Sequence, residues 1–308
     1  MWPAFLTTVL FSISAVSANR TTRLLGGIEA NFWRISLAAL LLALWGHVFG
    51  WGVGGEGFLV FLLSGFVGFG IGDLALYQAL PRIGTRLSIM LVHCLAAPFS
   101  GLTEWLWLGT TISGPQILSS LTILAGVSIA LAPSDHLKIT KRALAFGVFL
   151  GVLAAFGQGF GAVLSRKAYQ LANLAGEHID GLSAAYQRIL AGWTVAALSL
   201  LTLKQRRRWA ILRASTEARA DPRPKREKWR EAWPWILLNA VSGPTLGVSC
   251  YQWALADTPT GIVLPIVATT PLVVIPFARF LEGERPTIHS LIGGAIAVAG
   301  AVALTRSK

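Results

Sequence analysis

Ten long apolar runs, each near twenty residues and nearly free of charge, limit what this chain can fold into more than any other feature. They read roughly as 2–18, 28–49, 57–80, 84–107, 112–132, 143–166, 182–203, 233–256, 260–281 and 287–305. A hydrocarbon core about 30 Å thick takes around 20 such residues as a helix. The helix is favoured there because it satisfies every backbone polar group within one segment. A strand barrel would show short alternating segments, and these runs do not alternate. Charged residues make up only 13% of the 308, and mean hydropathy is +0.62, whereas a soluble domain carries about 25% charge. The expected fold class is all-α integral membrane, with ten transmembrane helices. The 32 glycines and 12 tryptophans suit helices packed closely in lipid with aromatic residues at its interfaces.

A net charge of +12 would suggest nucleic acid as partner in a soluble chain. Here 11 of the 26 Lys and Arg residues lie between Lys204 and Arg230, beside three acids, Glu217, Asp221 and Glu227. The excess is mostly one long basic loop, 204–232, with no aromatic platform interleaved. It reads as a topology and lipid-surface signal, with membrane lipid as partner and no nucleic acid. Cys94 and Cys250 sit in apolar runs without CxxC or Cys/His spacing, which fits buried small hydrophobes and no metal. Met1–Asn19 ends in small residues like a cleavage site, but it lacks a basic leading region and has an echo later in the chain. It is therefore read as a span.

The two halves repeat. The run Asn31-Phe32-Trp33-Arg34-Ile35 is echoed by Ala185-Tyr186-Gln187-Arg188-Ile189, and Tyr77-Gln78-Ala79-Leu80 by Tyr251-Gln252-Trp253-Ala254-Leu255. Pro98-Phe99 then Glu104 is echoed by Pro276-Phe277 then Glu282, and Gly126 by Gly300. Any one echo is weak, but four in the same order are strong. Two repeats are expected, 1–133 and 134–308. Five spans per repeat is an odd number, so the second enters the membrane from the opposite face. Inverted duplication is a recurrent plan of secondary transporters, whose substrate site lies near the midplane between repeats.

These ordered echoes resemble the paired EamA domains of the drug/metabolite transporter superfamily over nearly the whole chain. The resemblance implies a ten-helix carrier of small metabolites, amino-acid-like or amphipathic solutes, with export as one direction. The basic loop is longer than that pattern requires.

Ionisable or amide groups at membrane depth are costly and mark candidate sites. Asp73, beside Gly68, Gly70 and Gly72, and His93 are the candidates for proton coupling. Tyr77, Gln78, Gln158, Tyr251 and Trp253 are the candidates for lining a substrate cavity. Asn239 is another polar group in a span. For each, the competing reading is a structural hydrogen bond between helices. Arg34, Glu104, Arg188 and Glu282 are candidate gates. Inversion places Arg34 on the face of Glu282 and Arg188 on the face of Glu104, so these pairs are expected to close the two sides in turn. The competing reading is glutamates capping helix ends and arginines snorkelling to headgroups.

No GxSxG, HExxH or Walker motif is present, so neither an enzyme nor an ATP-driven pump is expected, and no cofactor. A channel would need a filter or an acidic ring, which the sequence lacks. Nucleotide sugars or sugar phosphates are the alternative substrates, but these dianions need several cavity cations. Neutral, zwitterionic or weakly amphipathic solutes are preferred. Arg20, Arg23, Arg82, Arg86, Lys138, Lys141, Arg142, the 204–232 cluster and Arg285 fall on one face, against Arg166, Lys167, Arg306 and Lys308 on the other. The positive-inside rule then puts the basic loop in the cytoplasm and both termini outside, in an inner or plasma membrane.

Overall fold

The computed structural model describes residues 1–131, 140–213, 224–274 and 288–306. Among them no strand occurs, as the unbroken apolar runs require. Helix α1 spans Trp2–Leu25 and α2 spans Gly27–Val48. Gly26 joins them at φ 83°, a backbone conformation that only glycine adopts without strain. Helix α3, Phe58–Gly65, passes through a π-helical stretch, Phe66–Gly72, into α4, Asp73–Leu108. The expected third and fourth spans meet inside α4 at Gly84, whose φ of 77° bends the chain back. Then follow α5 (Gly114–Leu131), α6 (Lys141–Leu174) and α7 (Gly181–Arg213). Helix α8, Lys225–Ala240, enters a second π stretch, Val241–Gly247, and continues as α9, Val248–Asp257. Helices α10 (Thr260–Val267) and α11 (Ile288–Arg306) complete the described chain.

Five helices among the described residues are long and apolar enough to cross a membrane: Trp2–Leu25, Gly27–Val48, Phe58–Gly84, Leu87–Leu108 and Lys141–Leu174. Three shorter apolar helices accompany them. The boundaries differ from the sequence reading mainly at the basic segment. Residues 204–213 and 225–232 are helical extensions of α7 and α8, not loop. Lys, Arg, Glu and Gln are good helix formers, so a helix leaving lipid continues into water where no breaker stops it.

Large apolar residues such as Leu59, Leu63, Leu106 and Trp253 point outward, while the interior combines large side chains such as Phe61, Leu42 and Ile189 with many small ones: Ala38, Ala79, Ala155, Ala162, Ala168 and Ala184 are all essentially inaccessible. Lipid supplies no hydrophobic drive between helices, so contact depends on close backbone approach and on polar ties. Helix α1 shows both. Its Thr7, Thr8, Ser12, Ser17, Thr21 and Thr22 are buried, and Ser12 Oγ donates to the Thr270 carbonyl at 2.9 Å. Helices α5 and α11 pack through reciprocal glycines. A Cβ on Gly126 would lie 2.5 Å from the Ala297 nitrogen, and one on Gly300 would lie 2.9 Å from the Ile123 nitrogen. The paired numbers fall on one helix as they rise on the other, so the two run antiparallel.

Candidate functional site

Both π stretches face the centre of the bundle, beside a cavity of about 140 Å³ lined from α1, α2, α4, α6, α7 and α9 as well. A π turn inserts a residue into the helical ladder and re-aims the side chains around it, and such turns are frequent at functional sites. The first aims Phe69 and delivers Asp73; the second places Gly243 and Pro244 at the cavity wall. A larger hollow of about 500 Å³ between α4, α5 and α10 is lined by Pro98, Leu102, Ile112, Leu121 and similar residues, with no titratable group. The chemistry is in the smaller one.

The buried Arg34 on α2 forms an ion pair with the partly buried Asp73. Its Nε donates to Asn31 Oδ1 at 3.0 Å, and its guanidinium lies 4.5 Å from the centre of the Tyr77 ring. Tyr77 in turn accepts a hydrogen bond from Asn239 Nδ2 at 2.8 Å, and Asn239 Oδ1 accepts one from Ser14 at 2.8 Å. One polar chain therefore runs through α2, α4, α8 and α1. Buried polar groups left unpaired in such a medium are expensive, which is why these residues find one another.

Arg188 on α7 occupies the echoed position and is as buried as Arg34, at 4% against 5% exposed. Its surroundings differ. Nε donates to Ser64 Oγ at 2.8 Å, and Ser64 Oγ donates to the Gly161 carbonyl at 2.6 Å. The guanidinium lies 5.3 Å from the centre of the Phe69 ring. Among the described residues no carboxylate pairs with it. Gly65 sets its position, since a Cβ there would lie 1.7 Å from the Arg188 carbonyl oxygen.

Glu104 does not meet Arg188. Its Oε1 accepts from Arg166 Nε at 3.1 Å, and its Oε2 accepts from the Thr260 backbone N–H at 2.6 Å and the Thr260 hydroxyl at 2.5 Å. Arg166 Nη1 also donates to the carbonyls of Leu255 (2.9 Å) and Ala256 (3.0 Å). Glu104 thus sits at the N-terminus of α10, where a carboxylate is stabilised by free N–H groups and the helix dipole, while Arg166 caps the C-terminal end of α9. Arg188 and Glu104 are therefore not paired in this structure, because Glu104 is taken up by this four-helix tie; Arg34 is paired with Asp73. Glu282 itself lies outside the described residues.

Tyr77, Gln158, Tyr251, Asp73 and His93 all line the cavity, and Gln158 Nε2 lies 3.3 Å from His93 Nδ1. Two cavity candidates do not. Gln78 bonds back to the Leu74 carbonyl at 3.3 Å, and Trp253 is 59% exposed on the outer surface. Successive helical residues are rotated by about 100°, so neighbours of an inward tyrosine point elsewhere. Several polar groups went unsingled by sequence: Ser14, Asn31, Ser64, Arg166 and Thr260. The available signal was a polar residue in an apolar run, which Ser and Thr share with many innocuous positions.

The cavity has a direction. Ala18, near the C-terminal end of α1, and Leu80 and Ile89, flanking the Gly84 bend, line it toward one end of the bundle. The Glu104 tie holds the other end, where α4, α6 and α9 finish. Gly181, the first residue of α7, packs there against the Ser249 carbonyl and Trp253. Arg188 lies seven residues further on, about 10 Å deeper at 1.5 Å per residue, on the side of the cavity toward the Glu104 tie. The Arg34–Asp73 pair lies nearer the other end.

A profile of the EamA-like transporter family matches residues 1–132 and 145–306. No curated protein matches the chain. Among solved structures, one protein crystal structure superposes with a TM-score of 0.69 over 99% of this chain and 96% of its own, at 16% identity, a likeness that carries the fold alone. With apolar helices of spanning length and a family match over two segments that together cover most of its length, this chain belongs to the EamA-like transporter family, of the drug/metabolite transporter superfamily, and is an integral membrane protein.

Proposed function

We propose that this protein carries small organic solutes across the membrane by alternating access, without ATP, through the central cavity. The observation that supports it most is a cavity between segments of both halves that gathers Arg34, Asp73, Arg188, Tyr77 and Tyr251 in an otherwise largely apolar wall, with the tie of Glu104, Arg166 and Thr260 toward one end of the bundle. A carrier is closed on one side and reachable from the other in any one state, and in this reading the tie closes its end. Two inverted five-helix repeats, 1–133 and 134–308, supply the second state, because exchanging the roles of the halves opens the tied end. The reciprocal Gly126–Ala297 and Gly300–Ile123 contacts favour such a pseudo-twofold arrangement.

Tyr77, Gln158 and Tyr251 contact solute in this reading, and Asp73 and His93 are the proton-coupling candidates. Asp73 has the stronger claim, since protonating it would release Arg34. The 140 Å³ cavity suits a solute of one ring or a short chain, because an apolar cavity of about 150 Å³ holds benzene. A nucleotide sugar is far larger. Counterflow in proteoliposomes tests the reading: vesicles preloaded with a pool of unlabelled amino acids and small organic acids should transiently accumulate a labelled member of that pool. A channel or receptor gives no such overshoot.

A further inference from the structure

The two halves match at their arginines but not at the acid that serves them. Asp73, the partner of Arg34, lies four residues before Tyr77; four residues before the echoed Tyr251 stands Gly247. One arginine therefore has an ion-pair partner from its own half, and the other, among the described residues, has none in contact. The charged side chains at the cavity wall are Arg34, Asp73 and Arg188, so one carboxylate serves two guanidinium groups and the wall carries one surplus positive charge. A surplus buried cation is costly, and an anion bound in the cavity would offset it.

A second, independent feature lies at the same wall. Tyr251 is 3% exposed and its hydroxyl, unlike that of Tyr77, has no hydrogen-bond partner. Tyr77 Oη is held by Asn239, while Tyr251 Oη is left as a free donor at the wall of the cavity that Arg188 also lines. The planar fork of a guanidinium with a phenol in the same cavity is suited to a carboxylate, which takes two parallel N–H bonds and a third from the hydroxyl. Phe11, Phe69 and Val248 give the rest of that end an apolar wall.

We propose that the substrates are small monoanionic carboxylates, bound with the carboxylate on Arg188 and Tyr251 and the apolar part toward Phe11 and Phe69. This rests on the carrier reading of the cavity and sharpens it. One surplus cation neutralises a monoanion; a dianion leaves a charge uncompensated and an uncharged solute leaves Arg188 bare. In the carrier reading the Glu104 tie closes the side toward Arg188, so the anion binds where opening of that side would release it.

Benzoate and its uncharged isostere benzamide separate head-group charge from shape. The full-length protein in detergent at low salt is titrated with each, and with phenyl phosphate and chloride, while its thermal midpoint is followed. Benzoate is expected to raise the midpoint in a saturable way, with the other three giving little at the same concentration. Arg188→Gln should weaken the benzoate response on the order of a hundredfold, and Tyr251→Phe about tenfold. Equal responses to benzoate and benzamide, or a response to chloride alone, overturn the proposal, and this comparison needs no variant. Counterflow of uncharged solutes with no benzoate binding would leave the carrier standing and sink the carboxylate; benzoate binding with no counterflow of any member of the pool would sink the carrier reading and the substrate proposal with it.

Discussion

Each candidate residue has its role set by what sits within about 4 Å of it, and this is where sequence reading is weakest. Arg34 and Arg188 look alike in the chain and are equally buried, yet one is paired with Asp73 and the other is not. Removing Asp73 strands Arg34. Asp73→Asn should cost about 3 kcal/mol in unfolding by denaturing detergent, and Arg34→Gln with Asp73→Asn together should recover most of that loss. An additive double mutant would show that the two side chains do not act as a pair. The same experiment bears on coupling: if Asp73→Asn still drives uptake from a pH gradient at the wild-type rate, Asp73 is structural. Trp253 shows the opposite case. It lies two residues from Tyr251 but faces outward, so Trp253→Ala should leave solute affinity within about twofold of wild type. A larger loss in counterflow assays would return it to the site.

Elements carry the geometry that residues need. The two π stretches lie at matching places, a few residues before Tyr77 and before Tyr251, and each re-aims the helix that lines the cavity. The close contact of α3 with α7 at Gly65 fixes the height of Arg188. Gly65→Ala would drive a methyl group into the α7 backbone, which cannot yield as a side chain can. A loss of about 1–3 kcal/mol is expected, together with weaker solute binding as Arg188 is displaced. Gly114 has open space around it, so Gly114→Ala should stay within about 0.5 kcal/mol of wild type in the same assay. Equal effects at the two glycines would contradict the packing described.

Across the whole molecule, the tie of Glu104 with Arg166 and Thr260 joins α4, α6, α9 and α10 at one end. Glu104→Ala leaves Arg166 without its carboxylate and the Thr260 N–H without an acceptor. Amide exchange in a peptide spanning Leu255 to Val263 should then rise well above wild type, read by mass spectrometry, while peptides at the Gly84 bend stay unchanged. A uniform rise would mean general loosening instead of release of one end. The basic cluster predicts orientation independently: a C-terminal reporter active only in the cytoplasm should stay silent. Strong activity would reverse the assignment.

The sequence by itself determined the class of molecule. Long apolar runs leave the backbone no option but helices in lipid, and ordered echoes across the halves led to the family that the profile match then showed. It also found Arg34, Asp73, Tyr77, His93, Gln158, Arg188 and Tyr251, because polar groups inside apolar runs are rare and costly. Only the tertiary structure decided their partners. Span ends in the sequence suggested Arg188 with Glu104, but an ion pair is a matter of a few ångströms across packed helices. The π turns, the Gly84 bend and the glycine contacts that set those distances leave no periodicity to read. The contrast between Arg34 and Arg188, one paired and the other without a contacting carboxylate among the described residues, belongs to the fold for the same reason.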